Sequence, residues 1–150
     1  MMPASCGYFK TQVFADDRGK LWKPEVPFEV KNAFFVTHLD GKPRGGHAHR
    51  KAHQCIWCIQ GDMMAVLESS GMRQIISIIP EYALLVPPRT WVTLGKFSPN
   101  CCYAVWTSEP YDEAEIVRDQ NEFFQWYGRF PSPVQTIGGE LVVGDAFGAV

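Results

Sequence analysis

The stretch Gly41-Lys42-Pro43-Arg44-Gly45-Gly46-His47-Ala48-His49-Arg50-Lys51-Ala52-His53-Gln54 decides the fold, because it sets two imidazoles two residues apart behind a pair of glycines. On an extended chain residues i and i+2 share a face, so His47 and His49 predict a strand that presents both rings to one side. Two consecutive polar rings turned inward are costly in an apolar interior unless they line a wet cavity, which makes the pair a candidate site. Outward from this stretch, short apolar runs separated by Gly, Pro and Asp recur along residues 7 to 107, the pattern of an all-β sandwich or barrel. Strands are expected at 8–14, 20–24, 29–38, 46–50, 54–60, 62–69, 72–79, 83–86, 91–96 and 101–107. Turn signals fall at Asp16-Asp17-Arg18-Gly19, Asp40-Gly41, Gln60-Gly61-Asp62, Ser69-Ser70-Gly71 and Ser98-Pro99-Asn100. After Tyr111 the spacing becomes helical, with acids Asp112, Glu113 and Glu115 in the first turn, and one or two short helices are expected.

The 150 residues suit one domain, with residues 1–130 forming the barrel and helices. Residues 131–150, rich in Gly, Pro and Val, read as an extra strand or a C-terminal arm. With 14 Lys+Arg against 16 Asp+Glu and no basic block, nucleic acid is a poor partner. No basic leader precedes an apolar run, and no stretch of about 18 apolar residues occurs, so a soluble, cytoplasmic protein without membrane contact is expected. The odd count of 5 cysteines argues against a disulfide framework. Cys55-Ile56-Trp57-Cys58 has the form C-x-x-C, but on a strand residues three apart face opposite sides, and these thiols read as core and surface residues.

The spacing of Gly41, His47, His49, Gln54 and Gly61 resembles the first motif of the cupin barrels, which implies a jelly roll. Metal-binding cupins usually carry Glu where Gln54 stands and deliver a further His from a Pro-x-Gly turn. Here the corresponding segment is Val86-Pro87-Pro88-Arg89-Thr90-Trp91-Val92, with Val92 at the histidine position and Arg89 at the turn glycine. Two of four ligands remain, and His53 could supply a third imidazole. So incomplete and charge-poor a set binds hard cations weakly, and neither a metal nor another cofactor is expected.

Histidine titrates near neutral pH, so an imidazole can take a proton from carbon beside a ketone and return it elsewhere. Arg44 offers a planar cation suited to a phosphate or a sugar oxygen. The chain resembles the nucleotide-sugar 3,4-ketoisomerases through Asp17-Arg18-Gly19, Pro27-Phe28-Glu29-Val30-Lys31, Arg44 to His49, Gln54, Gly61, Pro87 to Trp91, and Tyr111-Asp112-Glu113 with Arg118 and Phe123. That resemblance implies a metal-free jelly roll and a homodimer with exchanged N-terminal strands. It also implies movement of the ketone of a dTDP-4-keto-6-deoxyhexose from C4 to C3 through an enediol. On this reading His49 is the base and His47 its partner, or the reverse. Arg44 holds phosphate or sugar oxygen, Arg18, Lys31 and Gln54 are further substrate contacts, and Trp91 stacks on a base or sugar or else belongs to the core. The sequence departs from the family where Phe34-Phe35 replaces strand tyrosines and Val92 replaces the His after tryptophan. His38 is expected either to share the Phe34 face or to lie in an exposed loop. A sugar epimerase, which needs a tyrosine acid, and a non-catalytic sugar-binding cupin, which needs no pair of histidines, are the alternatives.

Overall fold

The computed structural model describes residues 7–69 and 72–127, so the 131–150 arm lies outside the described residues. Its strands are β1 (Gly7–Lys10), β2 (Gln12–Asp16), β3 (Gly19–Lys23), β4 (Asn32–Val36), β5 (Arg44–His49), β6 (Gln54–Gln60), β7 (Met63–Ser69), β8 (Met72–Ile78), β9 (Tyr82–Val86), β10 (Trp91–Gly95), β11 (Cys102–Thr107) and β12 (Ile116–Val117). A 3-10 turn at Glu113–Glu115 precedes β12, and helix α1 spans Gln120–Tyr127. Among the described residues two five-stranded sheets, β1-β9-β6-β11-β4 and β12-β5-β10-β7-β8, form a jelly roll, and β2 and β3 make a separate hairpin.

The sheet order follows from which faces the sequence can bury. Met63, Ala65 and Leu67 of β7 alternate into the core shared by the sheets, where they meet Ile56, Cys58, Leu84, Val86, Val92, Leu94 and Val105. Strand β6 is apolar on both faces. Its Cys55 and Trp57 turn outward and are covered by Phe9, Trp22, Val26 and Phe28 from the N-terminal segment. On the other sheet Ala48 and Trp91 turn outward beneath Val117 and Phe123, so α1 caps that face. A layer of chain therefore lies outside each sheet, which is why the central strands read as continuous apolar runs.

Three expectations need correction. The strand expected at 8–14 is two strands, because Thr11 is buried and pinned: its hydroxyl donates to the Pro80 carbonyl at 2.6 Å and its N–H to Glu81 at 2.8 Å. Beyond Thr11 the chain leaves the sheet, and β2 pairs with β3. The strand expected at 29–38 is shorter, since His38 takes a left-handed φ of 57° and ends the extended run. Within the segment expected to be helical, Ile116 and Val117 instead pair with His49 and Ala48 of β5.

The cysteines divide as strand alternation requires, Cys58 into the core and Cys55 to the opposite face. Burial pushes the Cys55 thiol up to about 12 and that of Cys58 higher still, so both stay protonated and unreactive.

Candidate active site

Strand β5 aims the two histidines. Ala48 is fully buried under α1, so its neighbours His47 and His49 face the opposite way, into the mouth of the barrel. Their ring centroids stand 5.2 Å apart with planes at 75°. The preceding glycines make this possible. His47 pairs with Val92 while Gly45 pairs with Thr93, so Gly46 is an extra residue in the ladder, and both glycines have positive φ, 81° and 71°. A Cβ on Gly45 would lie 2.7 Å from the Val92 carbonyl oxygen. The Gly-Gly pair is thus required by both the bulge and the close approach of β10.

The imidazoles line a cavity of about 110 Å³. Asn32 and Phe34 of β4, Gln54 of β6 and Thr107 of β11 form one wall; Glu109 to Asp112, Glu115, Ile116 and Arg118 close the other. His47 is held well below its ordinary value of 6.5, to about 4, chiefly by burial and next by the charge of His49. It is therefore neutral at physiological pH, and its buried Nδ1 has no hydrogen-bond partner among the described residues. His49 differs. Its Nδ1 lies 2.6 Å from Oε2 of Glu115, whose Oε1 accepts from the backbone N–H of Ala52 at 2.6 Å and of Lys51 at 3.2 Å. A carboxylate that already accepts from backbone donors makes Nδ1 of His49 a donor too, leaving Nε2 as the basic nitrogen.

At the rim, Glu113 accepts from Arg118 at 2.6 Å and from the Tyr111 hydroxyl at 2.6 Å. The Arg118 bond, followed by the Tyr111 bond, holds the Glu113 carboxyl down to about 2. Arg118 also lines a wider groove of about 590 Å³, formed with Arg44, Gly45, Gly46, Trp91 and the start of α1. It is shared by the two spaces, so a ligand extending from the small cavity into the groove passes its guanidinium.

Among the residues singled out from sequence, His47, His49 and Gln54 meet in the small cavity. Lys31 is at its edge, 3.6 Å from Oε2 of Glu109, a lining residue. Arg44 lines the groove instead, with Nε donating to the Tyr103 hydroxyl at 3.2 Å. Trp91 is buried against Phe123, with ring centroids 5.3 Å apart, and also lines the groove. Arg18 is at the tip of the β2–β3 hairpin, its side chain exposed and hydrogen-bonded to Asp16, away from both spaces. His53 is exposed, its ring 6.3 Å from that of Phe28, and does not line the cavity. His38 is an exposed loop residue.

Val92 is a buried core residue opposite His47. Arg89 adopts φ 61°, the conformation a turn glycine would take; its N–H donates to the His49 carbonyl at 2.8 Å and its guanidinium lies 5.0 Å from the Trp126 ring. Sequence reading missed Glu115, which it took for one of several acids favouring a helix start. No local pattern singles it out: Glu113 and Glu115 share the 3-10 turn, and Val117 packs with Trp91 and Phe123 on the outer face while Glu115 lines the cavity.

A family model described as FdtA, WxcM-like, C-terminal, matches residues 6–128. The TDP-4-oxo-6-deoxy-alpha-D-glucose-3,4-oxoisomerase of Aneurinibacillus thermoaerophilus is 31% identical over 120 residues, covering 76% of this chain and 86% of that protein. Among solved structures, QdtA from Thermoanaerobacterium thermosaccharolyticum, a sugar 3,4-ketoisomerase in complex with TDP, superposes with a TM-score of 0.79. It is 28% identical and covers 84% of this chain and 96% of that one. The WlaRB TDP-quinovose 3,4-ketoisomerase from Campylobacter jejuni has a TM-score of 0.76 and 27% identity, over 82% of this chain and 99% of that one.

Proposed function

This chain belongs to the WxcM-like family, and from that premise we propose that it is a 3,4-ketoisomerase moving the ketone of dTDP-4-keto-6-deoxyglucose from C4 to C3. The observation that carries the proposal is the unlike pair of imidazoles in one small cavity, one buried and neutral, the other tied to a carboxylate. His49 Nε2 takes the proton from C3, and the electron pair of that C–H bond forms the C3–C4 double bond of an enediol as the C4 oxygen accepts a proton. Neutral His47 carries one N–H and one lone pair, so it can give a proton to the C4 oxygen and take one from the C3 hydroxyl. His49 then returns its proton to C4, leaving the ketone at C3. Atoms and charge balance without an external oxidant.

The small cavity suits the sugar, and Arg118, Arg44 and Lys31 are the cations placed to meet the diphosphate. Gln54 offers amide donors and acceptors to the sugar hydroxyls, and Trp91 borders the groove on the nucleotide side. The activated sugar and the protonated thiols fit work in the cytoplasm. Among the described residues no helix is long and apolar enough to cross a membrane.

The active form is a homodimer with exchanged N-terminal strands. The β2–β3 hairpin pairs with neither sheet and exposes Val13, Phe14 and Leu21, while β4, an edge strand, exposes Phe34 and Phe35. An apolar arm and an apolar edge of this kind are satisfied by a second copy. Arg18 rides on the exchanged element. Sedimentation should give twice the mass of the chain, and a monomer at micromolar concentration would refute the dimer.

The activity is tested by incubating the protein with dTDP-4-keto-6-deoxyglucose in deuterated water and following C3 and C4 by NMR. Ketone migration to C3 is the expected result. Deuterium entering without migration would indicate an epimerase, and no change at either carbon a binding protein.

A further inference from the structure

Glu115 is a buried carboxylate on which three elements of the site converge, and it lies 66 residues from the histidine it touches. It occupies the last position of the 3-10 turn, and the two-residue strand β12, by pairing Ile116 with His49, brings it alongside β5. Its backbone is held as firmly as its side chain: its N–H donates to the Asp112 carbonyl at 3.0 Å and its carbonyl accepts from Arg50 at 2.8 Å. The main chain of His49 is fixed independently through Arg89. What Glu115 alone determines is the state of the imidazole.

We propose that Glu115 is the positioning residue of the isomerisation, which rests on reading His49 as the base. It holds His49 as the Nδ1–H tautomer, so the Nε2 lone pair faces the sugar, and it neutralises the imidazolium formed when the C3 proton is taken. The hydrogen bonds separate this role from a structural one. The N–H groups of Ala52 and Lys51 need an acceptor, and an amide oxygen would serve them as well as Oε1 does. The bond at Oε2 is different, because an amide nitrogen there would donate toward Nδ1. The imidazole would then have to accept at Nδ1 and carry its proton on Nε2, the nitrogen required as base. Glu115→Gln therefore preserves shape and backbone contacts while reversing the tautomer.

The experiment uses the full chain, with Glu115→Gln and Glu115→Asp beside the wild type. Nitrogen-15 NMR of the imidazoles should show His49 as the Nδ1–H tautomer in the wild type and as Nε2–H in Glu115→Gln. With dTDP-4-keto-6-deoxyglucose, kcat of Glu115→Gln should fall by about 10²–10⁴-fold while KM stays within about threefold. Glu115→Asp, which restores the charge on a shorter arm, should recover part of the loss. A folded Glu115→Gln turning over within about threefold of wild type would overturn the proposal. So would an Nε2–H tautomer in the active wild type, a measurement that needs no variant. An inactive wild type whose His49 is nonetheless the Nδ1–H tautomer would instead overturn the isomerase reading on which the proposal stands.

Discussion

Replacing His47 by glutamine should make the protein less sensitive to acid. In the folded chain burial, then the neighbouring charge of His49, holds His47 at about 4, against 6.5 for a free imidazole. Above 6.5 both folded and unfolded chains carry a neutral ring, and the group contributes nothing to pH dependence. As pH falls from 6.5 toward 4 the unfolded chain binds a proton that the folded chain refuses, so stability drops. The loss is about 2 kcal/mol at about pH 5 and levels off near 3 kcal/mol below pH 4. Urea unfolding followed by tryptophan fluorescence, at about pH 7.5 and again at about pH 5, gives the drop for each protein. Glutamine has no titrating group, and the other acids and bases are common to both chains, so the drop should be about 2 kcal/mol smaller in His47→Gln. An equal drop in the two proteins would refute the burial argument, and with it the assignment of His47 as the neutral partner.

His49→Asn should lower turnover by about 10²–10⁴-fold while nucleotide-sugar affinity is largely kept, whereas Arg44→Ala should raise KM more than it lowers kcat; steady-state kinetics with calorimetric binding separates the two. If His49→Asn still exchanges the C3 proton at the wild-type rate, the base is His47. Treatment with a chelator should leave kcat unchanged, because His47, His49 and the amide of Gln54 make a charge-poor set for a divalent ion; activity lost and restored by one such ion would refute this. Gly45→Ala should destabilise by about 1–3 kcal/mol, through its positive φ and a Cβ 2.7 Å from the Val92 carbonyl, and should lower turnover because the bulge aims His47. Gly46→Ala, where a Cβ meets open space, should cost only about 1 kcal/mol by urea midpoint, and equal losses at the two sites would argue against the close approach.

The barrel was legible because strands buried on both faces announce themselves as apolar runs, and 54–60, 62–69 and 91–96 match β6, β7 and β10 to within a residue. The errors arose where a tertiary contact, rather than a propensity, sets the boundary. Nothing local to Thr11 says that it will bond to Pro80 and Glu81 and end one strand before the next begins. Arg89 shows the converse. A residue in a glycine's place looked like the loss of a turn, yet the turn survives, with the left-handed φ accommodated by a backbone bond to His49 and a cation over Trp126.

At the site, strand periodicity was enough to put His47 and His49 on one face but not to distinguish them. One step of the pleat apart, with rings 5.2 Å from each other, they have opposite surroundings. His47, opposite Val92, is desolvated with no carboxylate bonded to its ring; His49, opposite Ile116, has the carboxylate that β12 delivers. The asymmetry comes from residues 45 and 66 positions further along the chain, beyond any local pattern. It also gives physical sense to Val92. An aliphatic side chain there, buried beside His47 in register, keeps that ring dry and neutral. A keto transfer between adjacent carbons needs one group that holds a proton and one that passes it between oxygens. Two histidines with the same side chain can divide that work only if their environments differ, and in this fold the difference is supplied by Glu115 on one side and Val92 on the other.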